Sequence, residues 1–220
     1  MSDPPNPSDA RPASGSRLSP DTDPEESPTV RALAHAETDE EVLLGSRAYC
    51  REATREYGLD VDLSPVEWEV STRAKRRAAA VKRPKIPGAE VGEPLDWREA
   101  AERTGTSLAD LRTCTLSLTR AAFDAFDVGE WTATLRHELV HVEQFQRFGA
   151  TDHGPAFRER AEAVSSTVNC PPFADPKYVL RCGECETVVG RRYRECKLVR
   201  EYDEYRSSCC GSEIVCLRQN

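Results

Sequence analysis

His137-Glu138-Leu139-Val140-His141, followed twelve residues after its second histidine by His153-Gly154-Pro155-Ala156-Phe157, is the stretch on which the reading of this chain turns. Asp127 with Glu130 three residues later forms a capping-box start. Trp131, Leu135, Leu139, Val142 and Phe145 then recur at spacings of three or four, so a helix is expected to run as far as Gly149. On that helix His137 and His141 stand at i and i+4, one turn apart on one face, where two imidazoles can reach a single ion. Bound zinc lowers the pKa of its water towards about 7, and a neighbouring carboxylate, here Glu138, can take the proton as that water attacks a carbonyl. A catalytic zinc needs a third protein ligand and one open position. His153 is the expected third ligand, presented from the start of the next helix after the chain turns at Gly149. The remaining histidine, His35, lies in a Pro- and Ser-rich context and is read as incidental.

Working outward, Thr38 with Glu41 forms another capping box ahead of Val42, Tyr49, Ala53 and Tyr57, a helix closed by Gly58. Val66, Trp68 and Val70 alternate with polar residues, as do Cys114, Leu116 and Leu118, and each run is expected to be a half-buried strand. Asp96 to Leu111 supplies a helix or an irregular connection. Pro155 opens a third helix carrying Phe157, Ala161 and Val164, which ends before Asn169-Cys170-Pro171-Pro172. Helices and strands of this kind imply an α+β fold. Three segments follow: a disordered tail over residues 1–37, too poor in apolar side chains to offset the entropy of ordering; a catalytic domain over 38–172; and a Cys-rich module over 178–217.

The two quoted motifs, together with the Trp-bearing strand and basic stretch from Trp68 to Arg77 and the strand ending Leu116-Ser117-Leu118, resemble the SprT-like metallopeptidase family over about residues 39–217. That resemblance implies a small zincin-like fold, a zinc-dependent endopeptidase activity, and substrates that are DNA-bound or DNA-crosslinked proteins. It also implies an edge strand beside the metal that holds substrate by strand addition, a part expected of Thr113 to Leu118.

Cys182-Gly183-Glu184-Cys185 has the spacing of a zinc knuckle, and Cys209-Cys210-Gly211 follows about two dozen residues later, so the module reads as a zinc ribbon. Similar ribbons carry two Cys-x-x-Cys pairs, whereas Ser207 stands where the second pair would begin. Cys209 and Cys210 are candidate ligands with Cys182 and Cys185, and Cys196 or Cys216 are alternatives. A module this small lacks a sufficient core and needs a staple. Two zinc ions are therefore expected, one catalytic and one structural. Cys50, Cys114 and Cys170 have no paired spacing and are read as small buried hydrophobes.

The chain has a net charge of -8, which argues against a general nucleic-acid binder. Arg73, Lys75, Arg76, Arg77, Lys82, Arg83 and Lys85 nevertheless place seven positive charges in thirteen residues with no acid among them. They form a candidate DNA-binding surface, with Arg191, Arg192 and Arg194 as a second cluster on the ribbon. No run approaches the roughly 18 apolar residues that cross a bilayer, and nine cysteines are an odd number for a disulfide framework. The expectation is a cytoplasmic monomer acting on protein substrate, with no membrane partner. The competing expectation is a nucleic-acid- or transcription-associated zinc-ribbon protein whose histidine site is idle.

Overall fold

The computed structural model describes residues 27–169 and 171–219. Most of the expected tail, residues 1–26, and the thiol of Cys170 lie outside the described residues. The end of that tail is ordered: Pro28–Ala34 forms α1, capped by the Ser27 hydroxyl and burying Val30 and Leu33. A Pro at the first helical position and two apolar residues three apart suffice for one anchored helix, which corrects the reading of residues 28–34 as disordered.

Asp39–Glu56 forms α2, started by the expected Thr38–Glu41 capping box. Val66–Ser71 (β1) and Ala79–Lys82 (β2) follow, then Trp97–Thr104 (α3) and Leu108–Arg112 (α4) in the segment whose form the sequence left open. Cys114–Thr119 (β3) leads through Arg120–Ala125 (α5) into Val128–Phe148 (α6), the metal-motif helix, and Pro155–Ala163 forms α7. The ribbon comprises Tyr178–Cys182 (β4), Val188–Arg192 (β5), Lys197–Arg200 (α8), a short 3-10 turn and Ile214–Arg218 (β6). The fold is therefore α+β, as expected.

Helix α6 organises the first layer. The Asp127–Glu130 capping box closes its N-terminus, and Gly149, in the left-handed region at φ 67°, closes its C-terminus. Trp131, Leu135, Leu139, Val142 and Phe145 are each at most 1% exposed. Burial of such side chains stabilises by about 1.5–3 kcal/mol each relative to exposure. Trp131 also donates its indole N–H to the Ser46 hydroxyl of α2 at 3.1 Å, and Trp97 donates to the Gln146 carbonyl at 3.0 Å. Arg160 of α7 grips Glu143 of α6 through two hydrogen bonds of 2.8 and 2.9 Å, tying the helix that bears His137 and His141 to the one that follows the His153 loop.

The sheet order is β1-β3-β2, with β1 parallel and β2 antiparallel to β3. This corrects the expected placement of the substrate edge. Cys114–Thr119 is the central strand, paired on both sides, and its apparently outward Ser117 and Thr119 are buried at 5% and 2% exposure. Ser117 donates to Glu69 on β1, and Thr119 donates to the Arg77 carbonyl. The strand left with a free edge beside α6 is β2.

Gly149 sits where α6 hands over to the loop carrying His153. A Cβ built there meets Leu95 at 2.5 Å and Ile86 at 3.1 Å, on top of the unfavourable positive φ. Gly149→Ala is expected to lower stability by about 1–3 kcal/mol, read as a fall in the urea midpoint with an unchanged slope.

Candidate functional site

Helix periodicity aims His137 and His141 into a cleft of about 480 Å³, and the turn after Gly149 brings His153 to the same point. The His153 Nε2 lies 3.1 Å from the Nε2 of His141 and 3.1 Å from that of His137. Two nitrogens bound tetrahedrally to one zinc at about 2.05 Å stand about 3.3 Å apart, so the spacing suits a common ion.

The outward nitrogens explain why the inward ones are bare. His137 donates from Nδ1 to the Thr167 carbonyl at 2.8 Å. His141 turns Nδ1 towards the Gln144 side-chain oxygen at 3.4 Å, and that amide is oriented by its own N–H bond to Asp152 at 3.1 Å. A carboxylate accepts only, which leaves the amide oxygen facing His141. With the proton committed to Nδ1 on both rings, lone pairs converge at the cleft, an arrangement that a cation relieves. Phe157, fully buried, lies beneath all three rings, stacked on His141 at 4.5 Å between centroids and edge-on to His153 at 4.6 Å.

Burial pushes the pKa of His141 down to about 3, aided by the charges of the two neighbouring rings, and burial lowers that of His137 as well. Neutral imidazole is the metal-binding form, so protons do not compete for these two rings near neutrality. Glu138 responds in the opposite sense. Burial raises its carboxyl pKa to about 7, against smaller opposing pulls from the Val81 backbone amide and the Arg77 charge. Its Oε2 is buried with no hydrogen-bond partner among the described residues. A carboxyl poised near neutrality at the floor of a cleft suits proton transfer.

Ala78 to Val81 line the same cleft opposite the histidines, with Thr134 and the Thr167–Asn169 segment completing its walls. The unpaired edge of β2 therefore runs along the cleft that holds the three histidines.

In the ribbon, Sγ atoms of Cys182, Cys185, Cys209 and Cys210 all lie within 4.8 Å of one another. Ser207 takes the first position of the second knuckle, where its hydroxyl accepts the Ser212 amide at 3.2 Å, and Gly211 turns at φ 68°. The neighbouring Cys209 fills the gap and stands 3.4 Å from Cys185. Backbone and hydroxyl donors, led by the Cys185 amide, hold the Cys182 thiol down at about 5, whereas Cys185 pushes Cys210 up to about 12. Four clustered sulfurs, with donors that favour the thiolate at Cys182 and Cys185, suit a bound zinc. Cys196 lies outside this group and borders a different groove. Cys50 and Cys114 are buried in the core, as expected.

The basic stretch divides. Arg73, Lys75, Arg76 and Arg77 line a groove of about 950 Å³ together with Arg191, Arg192 and Arg194 of the ribbon, and Tyr193 supplies an aromatic ring in the same wall. No acidic residue lines it. Lys82 instead pairs with Glu69, Arg83 donates to Thr151 and to the Gly149 carbonyl, and Lys85 is exposed elsewhere. Sequence reasoning missed Gln144, Asp152, Thr167 and Phe157 as supports of the histidines. For Gln144 a signal existed, three residues beyond His141 on the buried side of the helix. For Thr167 there was none, because the hydrogen bond is made by a backbone carbonyl.

No curated protein matches the chain. Protein families do give a match, over residues 48–176, a span that contains α6, β2 and the His153 loop and stops short of the ribbon. The chain thus belongs to the SprT-like family, and its first domain is metallopeptidase-like.

Proposed function

We propose that the chain is a zinc-dependent endopeptidase acting on DNA-bound or DNA-crosslinked proteins, with a catalytic domain over residues 38–172, joined by α1, and a zinc ribbon over 178–217. The observation that carries the chemistry is the buried, unpartnered Glu138 oxygen beside three converging imidazoles. In this reading His137, His141 and His153 hold the catalytic zinc, and Cys182, Cys185, Cys209 and Cys210 hold a structural one. Zinc bound there supplies Lewis-acid polarisation of the scissile carbonyl and acidifies water. Glu138 accepts the proton of the attacking water and returns it to the leaving amine. The free edge of β2 accepts substrate as an extended strand through backbone hydrogen bonds, which asks for no particular side-chain sequence.

The DNA-linked part of the proposal is supported by the shared wall of the two cavities. Arg76 and Arg77 line both the histidine cleft and the basic groove, so a nucleic acid in the groove would lie next to the edge that receives the peptide. A chain of net charge -8 that gathers seven cations and a tyrosine on one groove has a local attraction for phosphate that its overall charge lacks.

With a protein–DNA conjugate as substrate, wild type is expected to carry two zinc ions and to cleave in a chelator-sensitive way. Glu138→Gln should keep both ions and lose about 10²–10⁴-fold in rate. Full activity in Glu138→Gln would sink the general-base role, and DNA binding without cleavage by wild type would favour a binding protein with an idle site.

Gln144→Ala removes the acceptor for His141 Nδ1 and the tie to Asp152. Zinc affinity at the histidines is expected to fall about 10–100-fold, measured by chelator competition, while the ribbon's ion is retained.

Arg194→Ala should weaken DNA binding across sequences. It should also lower the slope of log affinity against log salt by about 0.7–0.9, the change expected when one phosphate is no longer neutralised. An unchanged slope would remove Arg194 from the interface.

A further inference from the structure

Arg136 immediately precedes the first histidine, is only 7% exposed, and forms no ion pair with any carboxylate among the described residues. A buried guanidinium without a counter-ion is costly, and an apolar side chain of similar volume is often the more stable choice at such a place. Part of the cost is met by two rings, since the guanidinium carbon lies 6.0 Å from the Tyr49 centroid and 5.5 Å from that of Tyr57. Nη1 bonds to the Tyr49 hydroxyl, whereas Nε has no partner. Besides the Tyr49 bond within the core, the guanidinium makes one hydrogen bond that reaches outside its own helix pair: Nη2 donates to the Ser165 carbonyl at 2.7 Å.

Ser165 is where the chain leaves α7 and turns back along α6. Its φ of 52° lies in the left-handed region, uncommon for a residue with a Cβ, so this turn needs holding. The next residue, Ser166, donates its hydroxyl to the Ala133 carbonyl at 2.7 Å, and the one after, Thr167, offers its carbonyl to His137 Nδ1 at 2.8 Å. Arg136, Ala133 and His137 of one helix thus bind three consecutive residues of the strap.

We propose that Arg136 is a positioning residue for the metal site: by clamping the Ser165 carbonyl it fixes Thr167 against His137 and so keeps the His137 proton on Nδ1 and Nε2 bare. The proposal rests on the reading of the three histidines as a metal site. The guanidinium touches neither metal nor substrate and acts only through the strap.

The test uses the full chain as wild type, Arg136→Met and Ser166→Ala. The tautomer of His137 is read in metal-free protein by long-range proton–nitrogen correlation, and zinc affinity at the histidines by chelator competition. In Arg136→Met both His137 tautomers should appear and affinity for the second zinc should fall about 10–100-fold. Ser166→Ala, which loosens the same strap without touching the buried cation, should shift both readouts in the same direction by less. It decides the matter alone if Arg136→Met does not fold. A single tautomer and an affinity within about twofold of wild type in the folded variants would overturn the proposal. Wild type that holds zinc only on the ribbon would instead overturn the metal reading beneath it, an outcome visible before any variant is made.

Discussion

Three Nε2 lone pairs held close together, two of them with their protons committed to the far side of the ring, are a repulsive arrangement unless a cation sits among them. The rest of the first domain can be understood as the apparatus that enforces this arrangement. Helix α6 brings two rings to one face by periodicity, and Thr167 and Gln144 orient them. The third depends on the Gly149 turn, on Arg83 pinning Thr151 and the Gly149 carbonyl, and on the Arg160–Glu143 clamp that sets α7 against α6. Phe157, fully buried, then packs against all three rings.

The same burial that prepares the histidines prepares Glu138. Desolvation lowers the proton affinity of the His137 and His141 rings and raises that of the carboxyl, so one environment favours two metal-ready imidazoles and a base near neutrality. The two effects need no separate device, because they are opposite responses of a base and an acid to one loss of water.

How much of this was legible in the sequence depends on whether the signal was local. The capping boxes at Thr38 and Asp127 and the three-to-four spacing of α6 are local, and both helices start where those signals place them. The alternation of β1 and β3 was equally legible, but the position of β3 in the sheet was not, since Ser117 and Thr119 are buried by hydrogen bonds to Glu69 and Arg77 that sequence does not display. Strand β2 carries Ala79-Ala80-Val81-Lys82, with neither alternation nor bulk, and becomes a strand only by pairing with β3. The ribbon's second knuckle was obscured because Ser207 replaces a cysteine by hydrogen bonding, and the fourth sulfur is supplied instead by Cys209, two residues further on.

The basic stretch shows how tertiary structure sorts like charges. Within thirteen residues, the four cations before β2 point into a groove with arginines more than a hundred residues away. Lys82 and Arg83 are drawn into an ion pair and a loop clamp. The division falls where the chain enters the sheet: residues 73–77 precede β2, and from Ala79 onward pairing with β3 sets Lys82 against Glu69 and Arg83 against the Gly149–Thr151 turn. Arg77 stands at that boundary. Its carbonyl is held by Thr119, and its side chain borders both groove and cleft. Residues 73–77 therefore lead directly into the strand whose free edge lines the histidine cleft. The basic groove and the histidine cleft are thus joined through a single peptide segment.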